Sequence, residues 1–162
     1  MPKLHKTHAR IVGIDPGIDR TGVGIIDVHG NTASLVFVDC ISTSKKLTQQ
    51  QRLVELKKSF IKILRKFKPD LASVEKLFFS ANVKTAMRVS EARGVILTEL
   101  ELAKIPTSEW TPQQIKQHVT GYGKADKKQI QKLVCAILKL ETVPTPDDAT
   151  DALAAALTAQ YM

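Results

Sequence analysis

The chain has few of the features that mark secreted, membrane or zinc-binding proteins. Aromatic residues make up 5% of the 162 residues, and the two cysteines, Cys40 and Cys135, are too few for a disulfide framework. No apolar run approaches the roughly 20 residues of a membrane-spanning helix. The N-terminal stretch MPKLHKTHAR lacks the apolar segment of a secretory signal. We therefore expect a cytoplasmic protein with no membrane partner.

Linkers, internal repeats and low-complexity tracts are also lacking, and this favours one domain spanning residues 1–162. Residues 1–9 precede the first apolar segment, so we expect them to form a flexible N-terminal extension. The four histidines show no ligand spacing with the cysteines, which disfavours a zinc site.

The charge is positive overall but unevenly distributed. Lys and Arg number 24 against 16 Asp and Glu, so the formal net charge is +8, which favours a polyanionic partner. Five lysines and one acid lie within 116–132. After Lys139 there is no basic residue, whereas four acids follow: Glu141, Asp147, Asp148 and Asp151. Acids collected in one segment of a basic chain indicate a metal site, although a helix N-terminus also favours them.

Hydrophobic periodicity predicts an α/β fold with a mixed five-stranded sheet and helices on its faces. Period-two or short buried runs predict strands at 10–15, 21–28, 34–41, 71–75 and 107–110. Helical spacing predicts helices at 49–68, 82–103, 112–119 and 147–160, and a further helix that carries the apolar residues of 130–138. Three strands joined by short turns form an antiparallel meander, and the later strands require crossover helices.

Carboxylates stand at three places where such a fold could bring them together. Asp15 ends an apolar strand before a Pro-Gly turn, and Glu75 ends another; Asp148 and Asp151 share one face of the last helix. A turn residue, an exposed strand end and a helix cap would explain them singly. Oxygen ligands suit Mg²⁺ or Mn²⁺. Two such ions about 3.5–4 Å apart could activate water and stabilise the leaving oxygen of a phosphodiester.

Four segments carry a more specific signal: GIDPGIDRTGVGII (13–26), SVEKLFFSANVKTAMRVSEARGV (73–95), PQQIKQHVTGYGKADKKQIQ (112–131) and DDATDALAAAL (147–157). In sequence and in order they resemble the RuvC family of Holliday-junction resolvases. The resemblance implies a ribonuclease H-like fold and a homodimer that binds a four-way DNA junction in recombination and repair. It also implies symmetric Mg²⁺-dependent hydrolysis that leaves 5′-phosphate ends, with a branch-migration helicase complex as a further partner.

The family's catalytic and metal-binding carboxylates fall on Asp15, Glu75, Asp148 and Asp151. The D-x-x-D spacing ahead of Ala-Leu-Ala selects Asp148 with Asp151 and leaves Asp147 out. The resemblance implies two Mg²⁺ ions per site, bridged by Asp15, with Mn²⁺ as a substitute.

The resemblance also implies DNA contacts. Phe78 occupies the position of an aromatic ring that stacks on a base near the crossover, although a core position would also explain it. Lys116 and Lys127 match lysines near the scissile backbone. Lys124 is an adjacent addition, for which a solvated helix face is an equally good interpretation. The helix Asn82–Ala103 is our candidate for the dimer interface.

Three other interpretations stay open. The pattern D-x-G-x-x-x-x-G that starts at Asp15 also occurs in phosphate-binding loops of actin-like and sugar-kinase ATPases, which need two such domains. A related ribonuclease H-like nuclease could act on another nucleic acid. A non-catalytic junction-binding protein is the third, but such a protein gains nothing from carboxylates that face phosphates.

Overall fold

The computed structural model describes residues 8–77 and 83–160 and shows a five-stranded sheet flanked by helices. The strands are β1 (His8–Asp15), β2 (Arg20–His29), β3 (Thr32–Ser42), β4 (Leu71–Glu75) and β5 (Thr107–Trp110). The helices are α1 (Gln49–Phe67), α2 (Val83–Leu102), α3 (Pro112–Thr120), α4 (Lys127–Leu138) and α5 (Asp147–Ala159). This order confirms the predicted succession of elements.

Local signals set several boundaries, and one expected boundary is wrong. The Thr111 side chain accepts a hydrogen bond from the backbone of Gln114, so it caps α3 at its N-terminus. At the start of the chain, however, His8 and Ala9 already belong to β1, because they pair with the end of β2 and Ala9 is buried. The rest of the expected extension, residues 1–7, lies outside the described residues.

The sheet has the strand order β3-β2-β1-β4-β5. β1 pairs antiparallel with β2 and parallel with β4, and β4 pairs parallel with β5. The predicted mixed sheet is therefore confirmed. Because parallel strands point the same way, the C-terminal ends of β1, β4 and β5 meet at one edge of the sheet.

Successive residues of the central strand β1 enter opposite cores. Val12 and Ile14 pack in the core that also contains Phe60 of α1 and Ile96 of α2. Ile11 belongs to the other core, which contains residues of α3, α4 and α5 such as Leu153. This alternation follows from the pleat of the strand and confirms helices on both faces of the sheet.

Helix α5 lies unusually close to β1 and β2. A Cβ atom built on Gly13 would overlap the carbonyl oxygen of Ala152, and one on Gly22 would overlap the carbonyl oxygen of Asp148. Glycine on the strands and alanine along the helix therefore permit the close approach. As a result, the first turn of α5 is held against the C-terminal end of β1.

Among the helices of the described residues, none is both long and apolar enough to span a membrane.

Candidate active site

Two of the candidate carboxylates end neighbouring parallel strands. The register pairs Ile14 of β1 with Val74 of β4, so the residues that follow, Asp15 and Glu75, leave the sheet at the same level. Both strands are buried just before these residues. The backbone of the two central strands therefore fixes the spacing of this pair.

The other two candidates reach the same place from α5. Asp15 pairs with Gly22 in the antiparallel register, and the backbone of Asp148 lies over Gly22. The side chains of Asp148 and Asp151 are 26% and 30% exposed, whereas that of Asp147 is 60% exposed. The D-x-x-D pair thus faces the strand ends, and Asp147 faces solvent, where it bonds with Lys127 and Gln131.

The electrostatics show that the four carboxyl groups lie close together. Burial, followed by repulsion from Glu75, Asp151 and Asp148, raises the pKa of Asp15 to about 8. Burial and then repulsion from Asp151 raise the pKa of Glu75 to about 7. Burial also raises the pKa of Asp151, although Lys127 opposes that shift. A clustered set of carboxyl groups with raised pKa values is typical of a functional site.

Two cations neutralise the α5 side of this cluster. Arg20 Nε lies 2.9 Å from Asp148 Oδ2. Lys127 Nζ lies 3.0 Å from Asp147 Oδ2 and 3.5 Å from Asp151 Oδ2. Burial alone would lower the pKa of Lys127, but these acids raise it overall.

Within the described residues, no ion pair reaches Asp15 or Glu75. Burial and mutual repulsion thus raise the pKa values of the strand-end pair, whereas the helix pair lies beside Arg20 and Lys127.

The predicted lysines line clefts beside the carboxylates. Lys116 and Lys127 lie with Glu75 and Asp151 in a pocket of about 170 Å³. Lys124 lies in a neighbouring cleft of about 490 Å³ that shares Lys116. Lys127 is the first residue of α4, whose N-cap is Asp126. Basic side chains of α3, of α4 and of the segment between them therefore lie next to the carboxylate cluster.

Phe78, the predicted stacking residue, lies outside the described residues. The structure accordingly places the four carboxylates and the three lysines.

Sequence reasoning missed Arg20. It lines a pocket of about 350 Å³ with Asp15, Asp148 and Arg88. Successive residues of β2 face opposite sides of the sheet, so Arg20 lies on the same side as Gly22, the residue that α5 covers. The signal that could have identified Arg20 is the antiparallel register of β1 and β2, extended through the turn that follows Asp15.

The carboxylate oxygens of the cluster fit a hard divalent cation, but the four side chains do not form a closed set of ligands. All four candidates offer carboxylate oxygens, as Mg²⁺ prefers. Asp148 Oδ2 is buried and accepts no hydrogen bond from the described residues, although Arg20 is nearby. In the same part of the chain, no three Asp, Glu, His or Cys side chains form a ready-made metal-binding group. Two of the four carboxylates are instead held by cations.

Comparison with known proteins gives a consistent match. A family model described as crossover junction endodeoxyribonuclease RuvC matches residues 11–159. Proteins of that description from Thermosipho melanesiensis and Petrotoga mobilis are 46% and 51% identical to this chain over 147 and 146 residues. These alignments cover 91% and 90% of this chain, and 94% and 90% of the two proteins.

A solved structure agrees. T. thermophilus RuvC in complex with Holliday junction substrate superposes with a TM-score of 0.89 at 32% identity. The match covers 94% of this chain and 93% of that chain. The predicted ribonuclease H-like fold is thereby confirmed.

Proposed function

The chain belongs to the RuvC family of crossover junction endodeoxyribonucleases, and on that basis we propose that it resolves four-way DNA junctions at the carboxylate cluster. It is a nuclease of a metal-dependent family. The observation that supports this location is the meeting of Asp15 and Glu75, at two strand ends, with Asp148 and Asp151 of α5. The ATPase alternative is set aside, because the family match spans residues 11–159 of a single sheet domain.

Asp15, Glu75, Asp148 and Asp151 are the proposed ligands of two Mg²⁺ ions, for which Mn²⁺ would substitute. When bound, such ions supply an activated water and stabilise the leaving oxygen. Asp15 is central to the set, since repulsion from each of the other three contributes to its raised pKa. The buried oxygen of Asp148 that accepts no hydrogen bond supports its role as a ligand.

The lysines of the adjoining clefts are the proposed contacts for the DNA backbone. Lys116 shares the pocket of Glu75 and Asp151, so a phosphate held there would lie beside the carboxylates. Lys127 is at the same pocket but already pairs with Asp147 and Asp151. It would therefore position Asp151 as well as meet the phosphate. Lys124 extends the basic surface away from the site, and Phe78 is the proposed stacking residue.

The remaining parts of the proposal concern assembly and products. Two copies of the chain would each nick one strand and leave 5′-phosphate ends, with α2 as the interface. The apolar side chains of Met87 and Leu102 on α2 are 62% and 69% exposed. Their exposure supports the proposal that a second copy of the chain covers this helix. A branch-migration helicase complex and a cytoplasmic location complete the proposal.

Cleavage of a mobile four-way junction with Mg²⁺ tests the function. We expect paired nicks at symmetric positions, and little cutting of duplex, single-stranded or RNA–DNA substrates of the same sequence. Equal cutting of RNA–DNA hybrid would favour the other ribonuclease H-like activity instead.

The Asp15→Asn variant tests the site. We expect loss of cleavage with junction binding retained, because the amide keeps the shape of the carboxyl group but removes its charge. An unchanged cleavage rate would contradict the assignment of the cluster. Junction binding by the wild type without any cleavage would favour the non-catalytic interpretation.

A further inference from the structure

Arg20 stands at the open side of the acidic cluster. It is the first residue of β2, two positions before Gly22, so both side-chain positions face α5. The side chain is 54% exposed, and with Arg88 it lines the pocket that contains Asp15 and Asp148. Arg20 therefore reaches the proposed metal ligands from solvent.

The contact between Arg20 and Asp148 is an ion pair without a hydrogen bond. Nε lies 2.9 Å from Oδ2, yet this buried oxygen accepts no hydrogen bond from the described residues. An ion pair of such geometry is weak and is easily exchanged for another cation. Arg52 shows the contrast, because it is buried and donates hydrogen bonds to Thr43, Ile18 and Asp19.

The Arg20 guanidinium and a divalent ion would compete for the same oxygen, Asp148 Oδ2. Asp148 Oδ2 is buried, and two cations at a buried oxygen repel each other more strongly than in water. Among the described residues no three Asp, Glu, His or Cys side chains form a ready-made metal-binding group, and Arg20 and Lys127 lie against Asp148 and Asp151 in this arrangement. A divalent ion at Asp148 Oδ2 would take the place of Arg20 Nε.

We propose that Arg20 is a positioning residue that holds Asp148 in the metal-free site and that a divalent cation must displace to bind there. The inference rests on the proposed metal-dependent cleavage. It assigns a cost to metal binding that comes from this chain's own arginine. Removal of that side chain should make the site bind metal more tightly.

The first test measures metal affinity directly. Free Mn²⁺ is followed by electron paramagnetic resonance in titrations of wild type, Arg20→Gln, Arg20→Lys and Arg88→Gln, and Mg²⁺ affinity follows by competition. We expect Arg20→Gln to tighten binding by about two- to fivefold, the size of an exposed ion pair. Arg20→Lys should restore an affinity near that of the wild type. Arg88→Gln is the matched control, since Arg88 lines the same pocket but, among the described residues, it is Arg20 and not Arg88 that pairs with Asp148.

The outcomes separate the inference from general electrostatics. Equal tightening in Arg20→Gln and Arg88→Gln would overturn it, as would unchanged or weaker binding in Arg20→Gln. These results would count against Arg20 alone if the wild type cleaves junctions with Mg²⁺. A wild type that does not cleave would count against the proposed function.

A second measurement needs no substitution. The Nε–H resonance of Arg20 should shift when Mg²⁺ is added to the ¹⁵N-labelled wild type, while that of Arg52 should stay in place. An Arg20 resonance that does not move at saturating Mg²⁺ would overturn the proposal.

Discussion

The strand-end pair and the helix pair are made of the same chemical group but have different surroundings. Asp15 and Glu75 end buried strands, and burial is the first cause of the raised pKa of each. Asp148 and Asp151 lie on the first turns of α5, beside Arg20 and Lys127. A helix N-terminus also stabilises negative charge. One cluster of carboxyl groups thus combines two surroundings: buried strand ends that no ion pair reaches among the described residues, and a helix turn beside two cations.

The two halves should respond differently to a divalent ion. On the strand side, the ion would replace protons, because both carboxyl groups titrate near neutral pH. On the helix side, it would replace Arg20 and the Lys127 ammonium.

The largest expected effect is on cleavage. Glu75→Gln should lower the rate of junction nicking by on the order of 10³-fold, as expected when a group that stabilises the transition state is removed. Asp147→Asn is the matched control, because Asp147 faces solvent and is not a proposed ligand. Its rate should stay near that of the wild type in the same assay. A comparable loss in both variants would show that the exposed acid belongs to the site.

The second prediction concerns the stability of the metal-free protein. Asp15 has a pKa of about 8 in the folded state and 3.8 as its ordinary value. The folded state therefore holds its proton more tightly, and Asp15 lowers the stability progressively as pH rises from about 4 to about 8. Asp15→Asn should remove this loss and raise the free energy of unfolding at pH 9 by several kcal/mol, up to about 6 kcal/mol.

Urea unfolding in EDTA at pH 4 and pH 9 measures that effect, with Asp148→Asn as the contrast from the helix side. Asp148→Asn should give no gain and lose about 0.2–1 kcal/mol, because it breaks the ion pair with Arg20. Equal stabilisation by both variants would contradict the distinction between the two halves.

The smallest prediction tests how α5 is held against the sheet. Gly22→Ala should lower the free energy of unfolding by about 1–3 kcal/mol, because the new methyl group meets the backbone of Asp148. Gly94→Ala is the matched control on α2, where a Cβ meets nothing within 4 Å. That change should stabilise the protein by roughly 0.5–1 kcal/mol, since alanine favours a helix. Equal effects at the two positions in urea unfolding would show that α5 does not depend on this contact.

Much of the fold could be predicted from local pattern. The apolar alternation of β2 and the helical stripe of α4 specify their own secondary structure, and the Thr111-Pro112 pair marks the start of α3. The boundary at His8 could not be predicted, because His8 and Ala9 become strand residues only by pairing with β2. Strand ends depend on a partner, whereas helix caps are local.

The candidate site divides in the same way. The resemblance to the RuvC family, through its D-x-x-D motif, implied Asp148 and Asp151 rather than Asp147. Helical spacing alone does not separate them, because Asp147 and Asp151 are four residues apart and also share a face. The exposure of Asp147 in the folded chain does separate them. Arg20 could not be selected, because its neighbour Asp148 is far away in sequence and is brought near by packing of α5 over Gly22.

The element order and the four candidate carboxylates follow from residue type and short-range spacing in the chain. The lysines beside the carboxylates were implied by the resemblance to the RuvC family. Which carboxylates lie buried at strand ends and which lie beside cations depends on how the chain packs. That outcome depends on burial at the ends of β1 and β4 and on the approach of α5. Both are properties of contacts between segments that are distant in the chain.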